Sequence, residues 1–219
     1  MGLRKSGALP LLIVLSLCLA VSGQQSTATV SFTLDFPGSD PSHYEIVIGG
    51  DGQGSYVSNG KFDEKSDPAD PASLKFAVPA AIRTRVFDLS KRAHYFTGKV
   101  DSDRKNVANT GTKALIYKDG ARTSRAVFNY SPLLPVQQLT ALFQNLSATM
   151  EFGRRLAYLH KYEKLALDDE LKRMEEMQRD NSLSDVQVIA PVLQNIADDS
   201  SVMNVSRARA LRLLATAGK

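Results

Sequence analysis

A chain of 219 residues with 43% apolar, 23% charged and 7% aromatic side chains has the profile of one or two globular domains and excludes a disordered polymer. Its formal charge of +4 falls to +2 when Arg4 and Lys5 are set aside with the N-terminal leader, too weak an electrostatic footprint for nucleic acid. The single cysteine, Cys18, lies within that leader, so thiolate catalysis, cysteine-ligated zinc and dithiol redox chemistry are excluded from the remainder.

The leader, residues 1–22, reads as a secretory signal peptide. Arg4 and Lys5 form a basic start, Ala8 to Ala20 is an apolar run, and small residues follow, which places cleavage around Ser22 or Gly23. The run is shorter than the roughly 20 residues a spanning helix needs, and no second one occurs, so no membrane span is expected in the mature chain. Leu17 stands before Cys18, where lipid attachment requires a small residue, so Cys18 reads as part of the signal. The expected destination is the periplasm or the extracellular space.

From Thr27 to Tyr130 the pattern is that of strands and turns. Val30, Phe32, Leu34 and Phe36 alternate with polar residues, Pro37 to Pro41 turns the chain, and Tyr44 to Ile48 follows as a second strand. Gly49 to Gly54 then leads into Ser55-Tyr56-Val57 as a hairpin partner. After a polar loop from Lys61 to Pro71, Leu74, Phe76 and Val78 form a short strand. Pro79 then opens a helix marked by Ile82, Val86, Leu89 and Ala93. Strands 113–118 and 121–130 flank Asp119-Gly120, the pair favoured by a type I′ turn because both positions need positive φ.

After Pro135 the period changes to that of a helix. Val136, Leu139, Phe143, Leu146 and Met150 continue through Leu156, Leu159, Leu167, Leu171, Met174 and Met177, with a break predicted near Ser147–Gly153 because glycine is a weak helix former. A polar stretch, Arg179 to Ser182, precedes two last helical segments, Leu183–Ala197, interrupted by Pro191, and Val205–Ala215. Together they predict an antiparallel helical hairpin. The fold class is α+β: an antiparallel sheet from two hairpins with packed helices, then a C-terminal helical region. The predicted division is an α+β domain over residues 27–150 and a helical extension over 151–219.

The order hairpin, helix, hairpin, helix, with a Pro/Gly turn ahead of Tyr44-Glu45-Ile46-Val47-Ile48-Gly49-Gly50-Asp51-Gly52, resembles a family of small exported bacterial domains of unknown function with ββαββα topology. The resemblance covers about residues 28–150 and implies a fold and a compartment, without an activity. Relatives carry cysteine in the turn before the second strand, where this chain has Pro37 to Pro41, so no disulfide or metal role transfers.

No residue is assigned as catalytic, cofactor-binding or metal-ligating. Ser58-Asn59-Gly60-Lys61 matches S-x-x-K, but Asn59-Gly60 is a turn where that chemistry requires a helix start, and its companion motifs are missing. Gly49 to Gly54 joins two strands and lacks the lysine of a phosphate loop. Asp101-Ser102-Asp103 begins like a calcium loop but lacks its central glycine and final glutamate. The acidic loop with Asp63, Glu64, Asp67 and Asp70 reads as solvated, and the three histidines share no metal-ligand spacing.

Arg154, Arg155, Lys161 and Lys164 alternate with Glu151 and Glu163 as a solvated helix face, and Arg207, Arg209 and Arg212 with Lys219 give the last helix a basic side. Asn129, Asn145 and Asn204 fit the glycosylation pattern of a eukaryotic secretory route. The functional expectation is a non-catalytic binding module of the cell envelope or periplasm, meeting a protein or envelope polymer through Met150, Tyr158, Tyr162, Met174 and Met177. The alternative is a hydrolase using carboxylates such as Asp63, Asp67, Asp101 or Asp103 on an envelope or extracellular polymer.

Overall fold

Period-two alternation builds the sheet. In β1 (Thr29–Asp35), Val30, Phe32 and Leu34 face the core, and in β2 (His43–Gly49) Tyr44, Ile46 and Ile48 do the same. This is a computed structural model, described for residues 27–61, 72–104 and 106–216 and for Gly2. The signal segment apart from Gly2, the acidic residues Asp63, Glu64, Asp67 and Asp70, and Lys219 lie outside the described residues.

Strands β3 (Gln53–Ser58) and β4 (Ala72–Ala77) continue the meander, and β5 (Thr112–Asp119) and β6 (Arg122–Phe128) add the second hairpin on the other side. The sheet order is β4-β3-β2-β1-β5-β6, antiparallel at every pairing. Phe32 lies between Ile46 and Leu115, so the central strand is apolar on both flanks. With α1 (Ala80–Arg92) and α2 (Leu134–Tyr162) the order is ββββαββα, the ββαββα order extended by a second pair of strands before the first helix. The fold is α+β with a C-terminal helical region.

Two local features differ from the sequence reading. The β5–β6 turn is built on Gly120-Ala121 rather than Asp119-Gly120, because Asp119 pairs with Arg122 in the ladder. Only Gly120 in this turn has positive φ, at 32°, as when glycine takes the first central position. The second difference is larger. No break occurs near Ser147–Gly153; α2 runs unbroken for 29 residues and ends at Tyr162. Gly153 is there for contact with a neighbour. A Cβ at this position would stand 2.5 Å from Ile189 Cγ2, so the absent side chain lets the chain before α4 (Ala190–Asp198) approach α2. Tertiary packing outweighs the weak helix propensity of one glycine.

Helix α2 carries the core. Phe143 stacks on Phe32 with ring centroids 5.1 Å apart and planes inclined by 2°. Val136, Leu139, Leu146 and Met150 fill the same buried stripe. The 150/151 boundary falls inside this helix, and residues on both sides belong to one hydrophobic cluster.

Beyond α2, α3 (Leu167–Arg179) packs on α5 (Asn204–Leu214), and α4 and α5 form the hairpin predicted from their spacing, with Pro191 in the first turn of α4. Arg209 bonds Asp168 and Glu175, and Arg212 bonds Glu175, so the basic side of α5 is turned onto the acidic side of α3.

Candidate ligand-binding cleft

Two periodicities bring the site together. Tyr56 and Ser58 are two apart on β3 and point to one face; Ser147, Glu151 and Arg154 are four and then three apart on α2 and share one helix side. Their meeting makes a buried polar network. Glu151 Oε1 accepts hydrogen bonds from Tyr56 Oη at 2.7 Å and from Ser58 Oγ at 2.6 Å. Arg154 Nη1 reaches Glu151 Oε2 at 2.7 Å and Oε1 at 3.0 Å. Arg154 also donates to Ser58 Oγ at 3.0 Å and, through Nη2, to the Gly60 carbonyl at 3.2 Å.

Glycine is required at position 60, since a Cβ would stand 2.5 Å from Glu151 Oε2. Both charged side chains are 6% exposed, which makes this a desolvated pair rather than a solvated helix face. The sequence reading of Glu151 and Arg154 is therefore corrected. Helix phase turns them onto Tyr56, Ser58 and Gly60, and they are buried beside Met150 and Phe152.

Burial, reinforced by the Glu151 charge, pushes the Tyr56 phenol well above its ordinary range. Tyr56 thus remains a neutral donor. Glu151 has both carboxylate oxygens engaged as acceptors, by a phenol, a hydroxyl and a guanidinium. A carboxylate held in this way orients its neighbours.

The network floors a cleft of about 1050 Å³ between the β1–β2 turn and the middle of α2. Tyr44, Ser147 and Glu151, all at least nine-tenths buried, line it from below. The hydroxyl of Tyr44 lies near Ser147 but meets no hydrogen-bond partner; Ser147 Oγ is 3.0 Å from Tyr56 Oη instead. A buried hydroxyl without a partner loses its hydration and recovers nothing, and this one is closed off behind the lining of the cleft. Gly38 and Asp40 stand at the turn, with Lys61 at the rim, where its backbone N–H donates to Asp40 Oδ1 at 3.0 Å.

The opposite wall is cationic and aromatic. Arg155 and Arg173 place their guanidinium carbons 4.8 and 4.9 Å from the Phe152 ring centroid. Both bond the same carboxylate oxygen, Glu170 Oε1, at 2.6 and 3.3 Å.

Of the residues read as a binding surface, Met150 and Met174 are core, Met177 lines this cleft, Tyr158 lines a smaller neighbouring recess, and Tyr162 is 61% exposed. Ser58 ends a strand and serves the ion pair. Asp101 accepts backbone N–H groups from Asn129 and Asp103, and Asp103 pairs with Lys99 at 2.7 Å, so these two organise their own loop. His43 bonds Asp35 at 2.6 Å and His160 bonds Asp199 at 2.8 Å, while His94 is exposed. Among the described residues, no group of three or more histidine, aspartate or glutamate side chains could hold a metal ion, and no helix is long and apolar enough to cross a membrane.

Tyr44, Ser147, Glu151, Arg154 and Arg173 were not legible as a site. The usable signal was phase: 143, 147, 151 and 154 continue the apolar stripe of α2, so polar residues at these positions had to be buried or at its edge. Compared with models of known protein families and with curated proteins, the chain matches none.

Proposed function

We propose that the protein is an exported, non-catalytic binding module whose ligand occupies the cleft between the β1–β2 turn and α2. The observation that carries this reading is an open cleft of about 1050 Å³, slightly above the roughly 300–1,000 Å³ typical of ligand sites, floored by the buried side chains of Tyr44, Ser147 and Glu151 and walled by Phe152, Arg155 and Arg173. The floor is set before anything binds. Tyr56, Ser58 and Arg154 hold Glu151 from behind the lining, so a ligand meets a carboxylate already fixed in place and little ordering is left to oppose association. The leader with Arg4, Lys5 and the run Ala8 to Ala20 supports export, and binding is an activity such a module performs without a cofactor.

The test is a ¹H–¹⁵N spectrum of the protein titrated with a small-molecule extract of cell envelope. The reading predicts shifts confined to amides of residues 38–40, 42, 59 and 144–152. Shifts confined to α5 or to strand β6 would contradict it.

A further inference from the structure

Resting on the reading of this cleft as a binding site, we infer that its ligand is a small organic anion, a carboxylate or phosphate monoester on an apolar body, whose charge is received by Arg173 and Arg155.

Charge placement is the first argument. Arg154 is matched by Glu151, and at the rim Asp40 accepts the backbone N–H of Lys61. On the remaining wall two guanidiniums share the single carboxylate of Glu170, which leaves one positive charge in excess. Arg173 holds Glu170 only loosely, at 3.3 Å, and its side chain is 54% exposed. Its other N–H groups have no hydrogen-bond acceptor among the described residues and are open to a planar oxyanion, which a guanidinium binds through two parallel bonds. The contact with Phe152 holds both forks against an apolar plane, so their orientation is fixed at small entropic expense.

The second argument is the rest of the cleft. Leu34, Ala148 and Met177 supply apolar lining, and methionine adapts to bodies of different shape. Ser42 and Gln144 supply polar lining. A cation would meet Arg155 and Arg173; a neutral alcohol would leave the excess charge unmatched.

The same chemistry occurs in a free organic acid and in the headgroup of an anionic lipid. The experiment therefore has two arms. In the first, the protein is titrated in ¹H–¹⁵N spectra with octanoate, octyl phosphate, octanol and octylamine, each as monomer, for the wild type, Arg173→Gln and Arg173→Lys.

The expected result is that octanoate or octyl phosphate shifts amides 144–152 and binds at least tenfold tighter than octanol. Arg173→Gln should abolish that preference while octanol binding stays unchanged, and Arg173→Lys should keep part of it. Equal binding of octanoate and octanol, or a preference that survives Arg173→Gln, overturns the anion inference and leaves the cleft as a site. If no probe moves amides around the cleft, both the inference and the reading beneath it fail.

In the second arm, phosphatidylglycerol vesicles are sedimented with the protein. Retention that octanoate competes away, and that Arg173→Gln removes, assigns the headgroup as the source. Octanoate binding without retention assigns the free acid. Retention on phosphatidylcholine vesicles as strong as on phosphatidylglycerol contradicts recognition of the charge.

Discussion

Arg154→Met tests whether the floor of the cleft is a true buried ion pair. The substitution keeps most of the side-chain volume and removes the one hydrogen bond that Glu151 Oε2 accepts among the described residues, at 2.7 Å. Oε1 retains Tyr56 at 2.7 Å and Ser58 at 2.6 Å, so half of the carboxylate is still satisfied. Breaking a buried pair by removing one partner costs about 3–5 kcal/mol, because the charge left behind stays desolvated. Glu151 borders the open cleft, and water entering there brings the expected loss to the lower end, about 3 kcal/mol. Replacing both residues, Glu151→Leu with Arg154→Met, removes both charges and should destabilise less than Arg154→Met alone. Equilibrium urea unfolding followed by far-ultraviolet circular dichroism measures all the variants. A single variant within about 1 kcal/mol of wild type, or a double variant whose loss equals the sum of the singles, would refute the reasoning.

Gly153→Ala should destabilise by about 1–3 kcal/mol, since the added Cβ meets Ile189 at 2.5 Å; a gain of about 1 kcal/mol, as helix propensity alone predicts, would show that Gly153 is no packing position. His94, Tyr95 and Phe96 have positive φ of 51°, 53° and 65°, a left-handed turn after α1 in which only His94 has an exposed side chain. His94→Gly should therefore raise the thermal midpoint, by an increment worth about 0.5–1 kcal/mol, and a lowered midpoint would argue against strain there. The Lys164 ammonium, then Ser201 and His160, hold the Asp199 carboxyl below its usual range, so its folded value is below the unfolded one. Its contribution is fully present above the unfolded value of about 4 and is lost as pH falls below it. The difference in urea midpoint between wild type and Asp199→Asn should be present at about pH 8 and be lost below about pH 4; a difference that persists undiminished at about pH 2 would contradict the assignment.

Much of the fold was legible because its signals are local. Val30, Phe32 and Leu34 announce a strand by alternation alone, and Pro79 with Ile82, Val86 and Leu89 announces α1. Pairing of β1 with β5, between residues 77 to 89 apart in the chain, has no local signal, and the sheet order follows from it. Gly153 was misread for the same reason: its propensity is a property of the residue, its contact with Ile189 a property of the fold.

The site shows this most clearly. Ser58 and Arg154 are separated by 96 residues, and Tyr56 and Ser147 by 91. A glutamate and an arginine three apart on a helix look like a solvated pair until β3 is placed against them. Arg155 and Arg173 come from two helices, and only their shared carboxylate and shared aromatic ring show that they act together.

The central claim is that the cleft above Tyr44 and Glu151 holds a small molecule. Ala148 lines that cleft and is half-buried against the edge of the core, so Ala148→Phe adds bulk at the cleft wall from α2. The decisive measurement is native mass spectrometry of the wild type and of Ala148→Phe, each incubated with the same envelope extract, with circular dichroism confirming that both are folded. The account predicts a discrete small-molecule adduct on the wild type that is lost from the variant. The same adduct on both proteins, or none on the wild type, would contradict it.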